Sequence, residues 1–167
     1  MTTSQDTYTP GVAVVLVAPQ IPPNTGSIAR TCAALNLQLH LIKPLGFEIS
    51  DKHVRRAGLD YWPWVKLSVH DSWEKFLQES GCLPHQLYFF TTKTSKSYID
   101  ATYKDGDFLV FGSETTGLSS YFHSNYHDQR LTIPIDNPHV RSLNLASSVS
   151  VAVYEARRQL SANKITS

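Results

Sequence analysis

The chain has 167 residues, a formal net charge of +1, 41% hydrophobic and 17% charged residues. That length suits one domain with a sizeable core, and the composition excludes a disordered or membrane-spanning chain. A pI near 7.8 excludes a globally basic nucleic-acid binder, so any RNA partner must meet local patches.

The first ten residues, MTTSQDTYTP, are polar and lack a basic stretch followed by an apolar one. They predict a loose tail over 1–10 rather than a signal peptide, with a second tail over 161–167 and one domain over 11–160. Residues 12–18 are continuously apolar and β-branched, as in a strand buried on both faces, and are too few to cross a bilayer. Pro22 and Pro23 stop that strand, and Asn24 or Thr25 can cap a helix reaching about residue 36. Further strands are predicted over 39–42, 65–69, 87–91, 108–111 and 131–135. Helices are predicted over 51–57, from a cap at Asp71 or Ser72 to 78, and from about 142 to 160. Strands alternating with helices define an α/β fold: a mostly parallel sheet with helices on both faces. Ligands in such folds sit beyond the carboxyl ends of the strands, which selects the loops 19–26, 43–50, 92–98, 112–120 and 136–144. Cys32 and Cys82 form no CxxC and fit reduced thiols in a cytoplasmic protein.

Three of these loops carry candidate chemistry. In 18–30 a strand runs through a rigid loop into a helix start. Free N–H groups there favour an anion, and Arg30 can fork onto a phosphate or ribose. The plain alternative is a stiff connection whose arginine pairs with a carboxylate. There is no GxGxxG and no Walker lysine, against the usual dinucleotide and triphosphate sites. In 112–117, Gly112 allows close approach of a ligand. Glu114 is an acid, a base or an acceptor for a ligand, or else a capping carboxylate in a tight turn. In 141–145, Arg141, Ser142 and Asn144 crowd one helix start, more than a cap requires. His123 and His127 have i, i+4 spacing but no third ligand, so no metal is expected. Asp136, His139 and Ser142 lack a nucleophile elbow, which argues against a hydrolase. Basic runs at Lys52–Arg56, at Lys93 and Lys96, and at Arg141, Arg157 and Arg158 are either solvated faces or RNA contacts. The aromatics of RAGLDYWPW beside the first run can pack in the core or stack an unpaired base.

Three segments in order, IPPNTGSIARTCA (21–33), FLVFGSETTGL (108–118) and IPIDNPHVRSLNLASSVSVAVYEARRQ (133–159), resemble motifs of the SPOUT superfamily of RNA methyltransferases. Within it the chain is similar to the small tRNA 2′-O-methyltransferases that act on the wobble nucleotide, cytidine or uridine 34. The likeness spans about residues 12–160. It implies a C-terminal deep trefoil knot, a cytoplasmic homodimer, the tRNA anticodon loop as partner and no membrane. It further implies S-adenosylmethionine as donor, with S-adenosylhomocysteine as product. By the same resemblance Phe90, Thr91, Gly112, Ile133, Ser142 and Leu143 hold the donor. Arg30, Glu114, Ser142 and Asn144 form the catalytic set, and Arg55, Arg56, Lys93, Arg141 and Tyr154 meet RNA. An arginine is hard to deprotonate, so Arg30 is read as an electrostatic clamp on the 2′-hydroxyl rather than a base. The chain departs from the pattern at the bend 136–140, one residue longer, and at Phe90, where a smaller aliphatic residue is common. The alternatives are a related knotted enzyme acting on rRNA or another tRNA position, and an RNA-binding module without catalysis.

Overall fold

The computed structural model describes residues 11–50 and 60–163. The helix predicted over 51–57, with Arg55 and Arg56, and the tail over 1–10 lie outside the described residues. Six strands form one sheet in the order β3-β2-β1-β5-β4-β6. They are β1 (Ala13–Val17), β2 (Gln38–Ile42), β3 (Lys66–His70), β4 (Leu87–Phe90), β5 (Phe108–Phe111) and β6 (Arg130–Leu131). All five pairings among the described residues are parallel.

Central strand β1 lies between β2 and β5, with Val14 against Leu39 and Leu109. Successive side chains leave opposite faces of a strand, so both faces of β1 are apolar because both are covered. Val14 and Leu16 join the core under α1 (Pro22–Ala34) and α4 (Leu145–Asn163). Val15 joins a second core with Trp73 and Phe76 of α2 (Trp73–Ser80) and Phe122 of α3 (Ser120–Asn125). Helices on both faces of a parallel sheet follow as expected. The apolar face predicted for the last helix is present: Val149, Ala152, Val153 and Ala156 are buried.

Three boundaries differ from expectation, each for a local reason. Helix α1 starts at Pro22, so the prolines occupy its first two positions, where a missing N–H costs nothing, and Asn24 lies inside the first turn. Helix α4 starts at Leu145 rather than 142. Asn144 is its cap: the side-chain oxygen accepts from Ser147 N at 3.1 Å and the carbonyl from Ser148 N at 2.9 Å. Strand β6 is only two residues long, because Thr132 N donates to Lys96 O and Thr132 O accepts from Tyr98 N, turning the chain onto the 96–98 loop. Helix α3 falls in a stretch where no element was predicted; its N-cap residue, Ser119, makes no side-chain cap hydrogen bond. By contrast α2 has the predicted Ser72 cap, accepting from Lys75 N at 3.1 Å, and ends at Gly81 with φ 64°.

Candidate active site

The strand order places β1 beside β5, so the loops that leave their carboxyl ends are neighbours. After β5 the chain doubles back at once. A Cβ at Gly112 would lie 2.1 Å from the Gly117 carbonyl carbon, so only glycine permits the approach. What comes close to Gly112 is therefore the chain itself. Gly117 N donates to Ser113 O at 3.0 Å, and Gly117 has φ 65°. This turn carries Glu114 to the head of α1, where its carboxylate accepts from Gln20 N at 2.8 Å and from Ile21 N at 3.0 Å.

The anion expected at that helix start is thus Glu114, 94 residues away in sequence from Gln20. Its capping role belongs to α1 rather than to its own turn. Asn24 extends the tie: its Nδ2 lies 3.5 Å from Glu114 Oε1, and its Oδ1 accepts from Asn144 Nδ2 at 3.1 Å. Three segments distant in sequence meet through Glu114, Asn24 and Asn144.

Beside this junction is a cavity of about 620 Å³. Drug-sized ligands occupy cavities of about 300–1,000 Å³. Phe90, Thr91, Gly112, Ile133, Ser142 and Leu143, the six positions expected to hold a donor, all line it. Glu114, Lys93 and Arg141 also line it; Arg30, Asn144 and Tyr154 do not. Phe90 stacks on Phe111 with centroids 4.7 Å apart and planes 17° from parallel, so the larger residue at Phe90 is packed into the wall. The longer bend at 136–140 is closed by Asn137, whose side-chain oxygen accepts from His139 N and whose carbonyl accepts from Val140 N.

Arg30 is exposed on α1, and its guanidinium carbon lies 5.4 Å from the centre of the Tyr61 ring. The Tyr61 hydroxyl donates to Gly26 O at 3.1 Å, fixing the ring against the helix that carries Arg30. The carboxylate partner of the plain alternative is not found among the described residues; an aromatic face orients the guanidinium instead. Arg141 and Tyr154 are exposed. Two residues absent from the sequence-derived set stand at the cavity: His123 lines its wall, and Arg130 Nη1 lies 3.1 Å from His123 Nδ1. Burial first, then the charges of Arg130 and Lys93, press the His123 pKa below its ordinary value. His127 contacts Asp128 at 3.2 Å, so the two histidines are engaged separately. Among the described residues no group of three His, Cys, Asp or Glu is placed to hold a metal, and no helix is long and apolar enough to cross a membrane.

A parallel sheet with a glycine-turned loop beyond its switch point and a cavity against it makes this an α/β protein with a ligand-sized cavity where such folds bind their ligands. Residues 11–154 match the SpoU rRNA methylase family, and the chain belongs to that family. It is 46% identical over 147 residues to a tRNA (cytidine(34)-2′-O)-methyltransferase of Burkholderia cenocepacia, covering 87% of this chain and 94% of the relative. It is 45% identical over 148 residues to the Escherichia coli protein of the same name, covering 88% and 92%. A solved structure from work on 2′-OH methylation of C/U34 on tRNA superposes with TM-score 0.84 at 46% identity, covering 90% of this chain and 97% of that one. The SpoU methyltransferase AviRb of Streptomyces viridochromogenes, in complex with AdoMet, shares the fold at TM-score 0.78 and 22% identity, covering 91% and 59%.

Proposed function

We propose that this chain transfers a methyl group from S-adenosylmethionine to the ribose 2′-oxygen of cytidine or uridine 34 in tRNA. The observation that carries the reading is the cavity. All six residues matched to donor binding line one wall system of suitable volume, although they come from four separate segments. The relatives named for this reaction, aligned over nearly the whole chain, support the substrate.

The cavity residues fit an adenosine-bearing donor. Phe90 and Phe111 give an apolar floor, while Thr91, Gly112 and Ile133 bring strand-end backbone to the lining, where a purine edge would meet it. Ser142 and Leu143 stand at the opposite lip. A bound donor supplies an electrophilic methyl on its sulfonium. The remaining work falls to the chain. Glu114, Asn24 and Asn144 hold the three loops in register, as positioning residues. Arg30, oriented by Tyr61, stabilises the developing charge on the 2′-oxygen as its proton is lost. Arg141 and Tyr154 meet the anticodon loop, together with Arg55 and Arg56.

Arg30 does not line the cavity of its own copy, so we include a homodimer in the proposal. Val140 before α4 and Val151 on it are 44% and 39% exposed, apolar side chains available to a second copy. The trefoil knot belongs to the same proposal. It is supported by β6 returning to the far side of β4 after β5, with the loops following both strands at one cavity. A cytoplasmic location follows from a tRNA substrate and from the free thiols of Cys32 and Cys82. The test is transfer of labelled methyl from S-adenosylmethionine to tRNA isolated without wobble methylation. Incorporation is expected; binding of donor with no incorporation into any tRNA defeats the reading.

A further inference from the structure

Part of the cavity lining gathers positive charge with no carboxylate partner among the described residues. Lys93 lines the cavity from the loop after β4 and His123 from α3, while Arg130 stands behind His123 on β6. Arg130 is fixed three ways: Nη1 donates to Lys93 O at 3.2 Å and faces His123 Nδ1 at 3.1 Å, and Nε donates to His127 O at 3.1 Å. These acceptors are uncharged, and none engages Nη2. Among the described residues no carboxylate lies within ion-pair distance of Lys93 or Arg130. The acidic residue of the cavity wall, Glu114, has its carboxylate oxygens on α1.

Lys93 is exposed where it lines the cavity and Arg130 is half-buried behind His123, so an anion reaching this corner would meet two cations with no carboxylate competing for them among the described residues. The local chemistry keeps the arrangement from relaxing. Burial and the two cations disfavour protonation of His123, and its Nδ1 accepts from Arg130 Nη1. The guanidinium is thereby pinned beside the Lys93 backbone, and the two N–H donors of Nη2, which meet no acceptor among the described residues, are left to donate to an oxyanion.

We propose that Lys93 and Arg130 form an oxyanion subsite that takes the carboxylate at the amino-acid end of the methyl donor, with His123 as the residue that positions Arg130. This rests on the donor reading above and moves Lys93 from the RNA-contacting set to the donor site. It makes the cavity selective for donors that keep the carboxylate, since the subsite would otherwise hold unpaired charge.

The test compares two adenosine ligands by calorimetry on the intact protein: S-adenosylhomocysteine, which has the carboxylate, and methylthioadenosine, which lacks the whole amino-acid end. Wild type is expected to prefer S-adenosylhomocysteine. Lys93→Met and His123→Leu are each expected to weaken S-adenosylhomocysteine about tenfold, the scale of one charge-assisted contact, and methylthioadenosine less than about twofold. His123→Gln, which keeps an acceptor for Arg130, is expected to restore most of the loss. Equal weakening of both ligands would overturn the proposal, because it marks general damage to the cavity. Unchanged S-adenosylhomocysteine affinity with a raised KM for tRNA would also overturn it, assigning the corner to a phosphate of RNA. If wild type binds neither ligand, the donor reading itself fails, a result distinct from either.

Discussion

Glu114 offers the sharpest perturbation, because its carboxylate joins two loops that are remote in sequence. Glu114→Gln keeps the shape but leaves one acceptor where two backbone N–H groups need partners, and it sets an amide NH₂ against one of them. Hydrogen bonds to a charged group contribute about 1.5–3 kcal/mol each, and a negative charge at a helix N-terminus adds about 0.3–1 kcal/mol. The side chain is half-buried, so solvent screens part of this, and a loss of about 2 kcal/mol is expected. For a chain of this size each kcal/mol moves Tm by about 2–4 °C, so the variant should melt about 4–8 °C lower. Urea unfolding followed by circular dichroism measures the loss directly, and donor titration reports whether the cavity loosens with it. A variant with wild-type unfolding but no methyl transfer would refute the reasoning, by showing that the carboxylate serves chemistry rather than the junction.

Gly112→Ala forces a Cβ into the backbone at Gly117 and should lower stability by about 1–3 kcal/mol or more, with loss of donor binding; wild-type binding would show that the turn relaxes freely. Arg30→Ala should lower methyl transfer by about 10²-fold with donor affinity unchanged, measured by single-turnover transfer and calorimetry. His40 is buried against His70 Nε2 at 2.9 Å, with Glu79 beyond it at 3.0 Å from His70 Nδ1. Burial, then His70, lowers the His40 pKa from 6.5 to about 4. Its neutral form is the folded one, so the associated stability is fully present above pH 6.5. It is lost as pH falls towards 4, by up to about 3 kcal/mol. Urea midpoints from pH 7.5 to 4 should show this fall, and it should flatten in His40→Gln.

The sheet and its two cores could be read from local pattern. Residues 12–18 are apolar at every position because β1 is covered on both faces, and Ser72 announces α2 because a cap needs only its own next turn. The six positions expected to hold a donor were named through motif likeness, and they line one cavity. The junction was not legible. That Glu114 caps α1, and that Asn144 reaches Asn24, depends on β1 lying next to β5, and strand order is a property of the whole sheet. The basic corner failed to register for the same reason: Lys93, His123 and Arg130 carry no spacing signal and meet only once β6 lies beside β4. Helix α3 is short and lacks a side-chain cap bond, so tertiary burial of Phe122 rather than local chemistry holds it.

The central claim is tested most directly by locating the methyl group. Unmodified tRNA is incubated with the protein and S-adenosylmethionine, then digested and sequenced by mass spectrometry. The account predicts one added methyl on the ribose of cytidine or uridine 34. Methylation at another nucleotide, or on a base rather than a ribose, would contradict it.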